Sequence, residues 1–258
     1  MILASLTKAI REQNYYAVVL EFLIVIAGVV IGFQINAWNE ARAEQAAERL
    51  ALGRLLEETE RAVAYWSAAS DDAARNNQNR RILVEALDRG EAEADVAPAL
   101  QDALLRLGHY PSIRAPRAVL DELVATGAYT RISDEALRAA VSAYTAELAY
   151  IDGQLVQFRT SHLKVETAFE GRVFSVYDPS APSLRRFEYD LAALSEDRQF
   201  VSHILDLVRN QLQFEFYYRG ALEQTGALCE QLALALDQTC STPQQRLEDE
   251  RARQGVNQ

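Results

Sequence analysis

YAVVLEFLIVIAGVVIGFQI, Tyr16 to Ile35, decides how the rest of the chain is read. It carries one acid, Glu21, and one amide, Gln34, and between them Phe22–Phe33 is an unbroken apolar run. As a helix, about twenty residues cover the roughly 30 Å hydrocarbon core of a bilayer. Tyr15 and Tyr16 precede the run and Trp38 comes after it, where an interfacial aromatic belt places such residues. Two other readings compete. A cleaved signal peptide wants a shorter apolar core and a nearby small-residue cleavage site. Ala41-Arg42-Ala43 resembles one but lies beyond Gln34, Asn36 and Asn39. A buried core helix does not normally carry so dense an apolar run this close to the amino terminus. The expectation is an uncleaved single-pass anchor, with the lipid bilayer as its first partner.

Composition bounds the remainder of the chain. It has 258 residues, 49% hydrophobic and 24% charged, enough for one large folded domain or two small ones. Its 11 glycines and 6 prolines are too few for an all-β sandwich or barrel, which needs a turn every few residues. A net charge of −11 excludes a general nucleic-acid binder, which needs a basic footprint. Basic residues near the span are almost balanced: Lys8 and Arg11 before it, Arg42, Arg49 and Arg54 after it among Glu40, Glu44 and Glu48. The compact basic group at the start favours an amino terminus inside and a large C-terminal part outside the cytoplasm. Cys229 and Cys240 are too few for a disulfide scaffold or a four-cysteine zinc site. On one continuous helix they stand roughly 16 Å apart, so two unpaired thiols are expected; a break near Asp237–Thr239 would bring them together.

The anchor also carries a resemblance. LEFLIVIAGVVIGFQINAWNEARAEQ, Leu20 to Gln45, resembles the opening of a bacterial family of single-pass membrane proteins of unknown function. Its members have a glutamate early in the span (here Glu21), a Gly-rich run (Gly28, Gly32), then Gln-Ile-Asn-x-Trp-Asn-Glu (Gln34, Ile35, Asn36, Trp38, Asn39, Glu40). A second, less specific similarity covers Val119–Tyr144 through Leu123, Gly127, Ile132, Ser133, Leu137 and Arg138. The resemblance implies a membrane anchor on a helical domain, and no activity. Together with the charge bias, it makes the bacterial inner membrane the expected place, with the domain in the periplasm.

Beyond the anchor the chain reads as helix almost throughout. Leu52, Leu55, Leu56, Thr59, Val63 and Trp66 recur at three- and four-residue steps, with Gly90 placed as a C′ glycine. Short helices are expected at 96–107 and from Pro116 to just before Gly127. Ser133 should cap a long helix ending at Gly171, with a stripe of Leu137, Val141, Tyr144, Leu148, Ile151, Leu155 and Phe158. DPSAPS, Asp178–Ser183, is the clearest loop. Ser195 should cap the last long helix, whose stripe runs from Phe200 and Ile204 to Leu232 and Leu236. The fold class expected is all-α: a transmembrane helix continuing into an elongated antiparallel bundle of three long helices. In that arrangement the short helices of 91–132 lie at the end far from the membrane and the 172–194 loop returns near it. The boundaries are a short N-terminal segment 1–15, the span 16–35, the bundle 36–240 and a polar tail 241–258.

The search for chemistry yields little. No phosphate-cradling loop, nucleophile elbow or HExxH is present, no enzyme is expected, and no cofactor is implied. His162, Glu166 and Glu170 share a helical face but read as a solvated one rather than a metal site. Arg114, Arg117 and Arg131 surround the Pro116 helix start, whose N–H groups attract anions, although ordinary surface arginines explain them as well. Phe214, Phe216, Tyr217 and Tyr218 read mostly as core packing. The one place where residues look expensive is the anchor. Glu21, Gly28, Gly32 and Asn36, with Ala17, fall on one face, and Gly28/Gly32 form GxxxG. Such a face packs against another helix, either a second copy of this chain or a membrane-protein partner. Two functions are consistent with these features. The first is a membrane-anchored interaction or scaffold protein. The alternative is a ligand-sensing bundle, which with about fifteen residues before the span would signal through a separate membrane partner. A closed core favours the first, and a polar pocket between helices favours the second.

Overall fold

The computed structural model describes residues 15–160, 162–242 and 245, and among the helical ones leaves out the side chains of Tyr15, Ala17, Thr160 and 162–164. The segment expected at 1–15 and the polar tail beyond 242 therefore lie, except for Tyr15 and Gln245, outside the described residues. The chain is all-α. Its helices are α1 (Tyr15–Arg89), α2 (Ala97–Arg106), α3 (Ala118–Ala125), α4 (Glu135–Thr160), α5 (His162–Phe169), α6 (Leu191–Glu196) and α7 (Arg198–Leu236). The chain divides into two compact units at Leu52/Gly53. The first is the leading part of α1; the second, from Gly53 onward, holds everything else described.

The second unit is built on three long helices. On α1, Asn77 meets Gln211, Trp66 meets Tyr218, and Glu60 accepts from the Ser241 N–H just past α7. Numbers rise on α1 as they fall on α7, so the two run antiparallel. The same holds for α4, where Phe158 packs on Phe214 and Tyr150 on Tyr217. It follows that α1 and α4 point the same way. The sequence expectation opposed them, and this is a correction. Between them the chain descends from α2 to α3 in an extended segment, Gly108–Pro116, that carries two prolines. Pro111 and Pro116 disfavour helix for the residue before each and stop any helix from running through them, and at roughly 3.3 Å per extended residue nine residues cover about 30 Å.

The short elements are redistributed accordingly. α3 lies at the Gly53 end, where the start of its backbone meets Glu58, whereas α2 lies at the Arg89 end. The 172–194 stretch is not a loop at the opposite end from α2. It is an antiparallel hairpin, β1 (Val173–Tyr177) and β2 (Arg185–Tyr189), with Asp178–Ser183 in its turn. Val-Phe-Ser-Val-Tyr is rich in β-branched and aromatic residues and too short to show a helical stripe. Val173 and Phe187 turn inward into a cluster with Leu83, Leu87, Leu100, Leu104, Phe200 and Ile204. Gln101 fastens β2 through both ends of its amide: Nε2 donates to the Phe187 carbonyl at 2.8 Å, and Oε1 accepts from the Phe187 N–H at 2.7 Å.

Helix ends obey the expected chemistry one or two residues late. Asp134, not Ser133, accepts from the N–H groups of Ala136 and Leu137. Asp197, not Ser195, accepts from those of Gln199 and Phe200. The Phe200 N–H, with the Arg172 guanidinium 2.6 Å away, holds the Asp197 carboxyl below the usual carboxylate range. Gly90, Gly127 and Gly171 all take the positive φ that a chain turning out of a helix requires.

Trp66 is the pivot of the middle layer. It is fully buried, its Nε1–H donates to the Tyr144 hydroxyl at 3.2 Å, and its ring lies 5.5 Å from that of Tyr218. One side chain thus touches both other long helices. Trp66→Ala is expected to lower unfolding free energy by about 3–5 kcal/mol. Urea unfolding of the full chain, monitored by near-ultraviolet circular dichroism, checks this. A loss below about 1 kcal/mol would contradict a central role.

Candidate functional site

Glu21, Gly28, Gly32 and Asn36 sit on the leading part of α1. At about 100° per residue they fall within roughly 80° of one another. An ideal Cβ built on Gly28 or Gly32 meets nothing within 4 Å. Larger residues are therefore tolerated there within one chain. Asn36 Nδ2 donates to Glu40 Oε1 at 2.7 Å within the same helix, and Glu21 is half-buried. Ala17, the fifth member of the face, has a side chain outside the described ones. α1 holds a stretch long and apolar enough to cross a membrane, and none of that stretch is buried. Phe33 is 72% exposed and Leu20 60%. A buried core helix does not look like this, so that reading is removed.

In the second unit the polar side chains gather where the chain leaves helix. The start of α3 does attract an anion, and the chain supplies it. Glu58, buried, accepts from the N–H groups of Val119 at 2.8 Å and Leu120 at 2.9 Å. Of the arginines expected around that start, Arg117 pairs with Asp121 and Asp152. Arg114 donates only its backbone N–H, to the Tyr65 hydroxyl at 2.9 Å, and Arg131 ends the turn Ala128–Arg131. The three arginines form no common site.

A second group lies at the exit of α2. Arg80 is only 3% exposed. Its Nη2 donates to the Arg106 carbonyl and its Nη1 to Asn77 Oδ1, both at 2.8 Å, while its Nε has no hydrogen-bond partner. Gln211 Nε2 continues the series, donating to the carbonyls of Leu107 at 3.1 Å and His109 at 3.3 Å. Burial pulls the Arg80 guanidinium down to about 10, against the opposing pull of Tyr110 and Asp102 nearby. Burial likewise pushes the Tyr110 hydroxyl up to about 12, although Arg80 and Gln211 act in the other direction. Beside this group is a cavity of about 200 Å³ lined by Asp72, Asn76, Arg80, Arg106 and His109, with Phe214 and Tyr218 as an aromatic wall. Phe214 and Tyr218 are buried as expected, but Phe216 is 72% exposed.

Sequence reasoning did not single out Arg80, which directly follows the polar stretch Asp71–Asn79. No group of three or more His, Cys, Asp or Glu side chains is placed to hold a metal among the described residues. The His162 side chain lies outside them, and Glu166 borders a different cavity with Arg159 and Arg185.

The cysteines correct a further expectation. Cys229 and Cys240 form a disulfide, with Cα atoms 5.6 Å apart. α7 stops at Leu236, and Asp237 turns left-handed at φ 57°. The Gln238 N–H then returns to the Ala233 carbonyl at 2.9 Å, so the chain doubles back along the helix. A non-glycine residue in that conformation carries no strong sequence signal, though Asp tolerates it better than most. Just past the bridge, Thr242 and Gln245 exchange reciprocal backbone-to-side-chain bonds, the arrangement of a helix-start capping box.

Comparison with family models, with curated proteins and with solved structures gives no match.

The bridge closes an 11-residue separation, for which loop closure alone is worth about 2–3 kcal/mol. Cys229→Ser with Cys240→Ser should lower stability by about that amount. Dithiothreitol should lower the wild type to the same level and leave the double variant unchanged. An equal response of both proteins to reductant would show that the bridge does not hold the native state.

Proposed function

We propose that this chain is a single-pass bacterial inner-membrane protein of the family its anchor resembles, with its helical domain in the periplasm. It works by contact rather than by catalysis, as an interaction or scaffold protein. The observation that carries this reading is the apolar span, none of it buried, on a chain whose remaining apolar stripes are mostly buried. An exposed apolar surface of that extent needs lipid or a protein partner. The disulfide supports the compartment. Such bridges persist in the periplasm and are reduced in the cytoplasm of most bacteria. The orientation inferred from Lys8 and Arg11 and the one inferred from the bridge agree, and they rest on different residues.

Thiol state in cells tests the compartment. Cells are quenched in acid, free thiols are tagged with a mass-shifting maleimide, and the full chain is assayed with and without prior reduction. The expected result is two tags only after reduction. Two tags without it would put the domain in the cytoplasm.

The anchor face is the proposed contact with a second copy or a membrane partner. Lipid gives helices no hydrophobic reason to associate, so close backbone approach at Gly28 and Gly32 and a buried polar bond from Glu21 must supply it. Gly28→Ile with Gly32→Ile should weaken association at least several-fold without reducing insertion. Crosslinking through cysteines introduced along the span should peak on the Glu21/Gly28/Gly32/Asn36 face. A peak on the opposite face, or unchanged association of the double variant, overturns the assignment.

One observation favours the second reading, a ligand-sensing bundle signalling through a separate membrane partner. The bundle holds a polar cavity at Arg80 rather than a closed core along its whole length.

A further inference from the structure

The hairpin has two edges, and the fold treats them differently. Gln101 bonds both the N–H and the carbonyl of Phe187, so these groups point away from β1 and the outer edge of β2 is covered at its middle. In an antiparallel ladder the residue opposite then points outward on the other strand. That residue is Ser175. At the turn the Asp178 N–H donates to the Leu184 carbonyl at 3.1 Å, which keeps the same alternation. Val173, Ser175 and Tyr177 therefore aim their backbone groups away from β2. Among the described residues no hydrogen bond meets those groups.

Sheet edges are ordinarily blunted by charge, proline, a bulge or a cover. β2 reads Arg-Arg-Phe-Glu-Tyr and is charged as well as covered. β1 reads Val-Phe-Ser-Val-Tyr, without a charge or a proline, and pairs with β2 residue for residue without a bulge. Phe174 on it is 59% exposed and Tyr177 76%.

We infer that the free edge of β1 pairs with β1 of a second copy of this chain, antiparallel about a two-fold axis at Ser175. The strand and its flanks are self-complementary in that register. Arg172 comes opposite the partner's Asp178, Val173 opposite the partner's Tyr177, Phe174 opposite the partner's Val176, and Ser175 opposite itself. Opposite charges meet at both ends, aromatic and β-branched side chains meet between them, and the small serine lies on the axis. No other antiparallel register pairs all three outward residues at once, each bonded pair exchanging both its N–H···O bonds. Two chains of net charge −11 repel, and they approach each other most easily along a strand that carries no charge of its own. This surface is separate from the anchor face, and neither contact requires the other.

Disulfide crosslinking of the full chain tests the register and the occupant together. Cys229 and Cys240 are bonded to each other, so an introduced cysteine is the one free thiol. In the inferred pairing Phe174 and the partner's Val176 form a non-hydrogen-bonded pair, with Cα atoms about 4.5 Å apart. Phe174→Cys and Val176→Cys chains are co-expressed with different tags, and isolated membranes are oxidised with copper phenanthroline. The mixed pair should crosslink at least several-fold more than either variant alone, whose cysteines lie two residues out of register. Ser175→Pro removes an N–H that β2 does not use and should abolish the mixed crosslink. Ser175→Lys sets two like charges on the axis and should do the same without any demand on the backbone, so the test stands even where the proline variant fails to fold. Equal yields from the mixed and single variants, or a mixed yield that survives Ser175→Lys, would overturn the inference. No crosslink at all would leave the edge to a strand of another protein and remove the second copy as its occupant.

Discussion

Everything in the helical domain depends on how one non-helical segment is allowed to run through it. Between Arg106 and Val119 the backbone has few helical partners of its own, and a buried peptide group without a partner costs as much as a lost hydrogen bond. Side chains of the long helices meet that demand in order. Arg80 takes the carbonyl of Arg106, Gln211 takes those of Leu107 and His109, Tyr65 accepts from the Arg114 N–H, and Glu58 accepts from Val119 and Leu120. Along α1 these partners descend from 80 through 65 to 58. That is 22 residues of helix, or roughly 33 Å, spanned by the nine non-helical residues 109–117 together with the turn before them.

That descent fixes the direction of α4. A chain that has returned to the Gly53 end must start its next long helix there, so α4 runs alongside α1 and α7 is left to run against both. The aromatic side chains fit this order. Trp66 touches Tyr144 and Tyr218, Phe214 packs on Phe158 and Tyr110, and Tyr110 itself stacks on Phe158 at 5.6 Å. Tyr110 belongs to the descending segment, so the segment is packed into the seam as well as hydrogen-bonded to its walls. At the Arg89 end, α4 leads through α5 into the hairpin, which closes the cluster around Leu83, Leu104 and Phe200.

Much of this was legible in the sequence. The α4 stripe from Leu137 to Phe158 is buried at every position expected, and Gly90, Gly127 and Gly171 mark real chain turns. The features that were not legible share a physical cause. An apolar stripe reads the same in both directions, so Leu137–Phe158 cannot say which way α4 points. A Ser-Asp or Ser-x-Asp pair offers two cap candidates, and the carboxylate wins at both Asp134 and Asp197 because it accepts more strongly than a hydroxyl. The disulfide depended on Asp237 adopting a left-handed turn, which a glycine would have announced and an aspartate does not. Arg80 comes after Asp71–Asn79, where Asp, Asn, Gln and Arg crowd together, and only tertiary contact separates buried Arg80 and Asn77 from the more exposed residues around them.

The same rule governs polarity at both ends of the chain. In the domain, expensive polar groups occur where backbone leaves helix: Glu58 at the start of α3, and Arg80 and Gln211 at the end of α2. Each sits beside the peptide groups that water cannot reach. In the leading part of α1 the backbone is helical throughout and makes no such demand, yet the stretch carries an ionisable side chain, Glu21. On the proposed membrane reading, lipid offers that side chain no water either, and an ionisable group there faces protein or a wet cavity. The glycines on its face allow a neighbouring backbone to come close. On this reading the face that carries Glu21, Gly28 and Gly32 is where another helix packs.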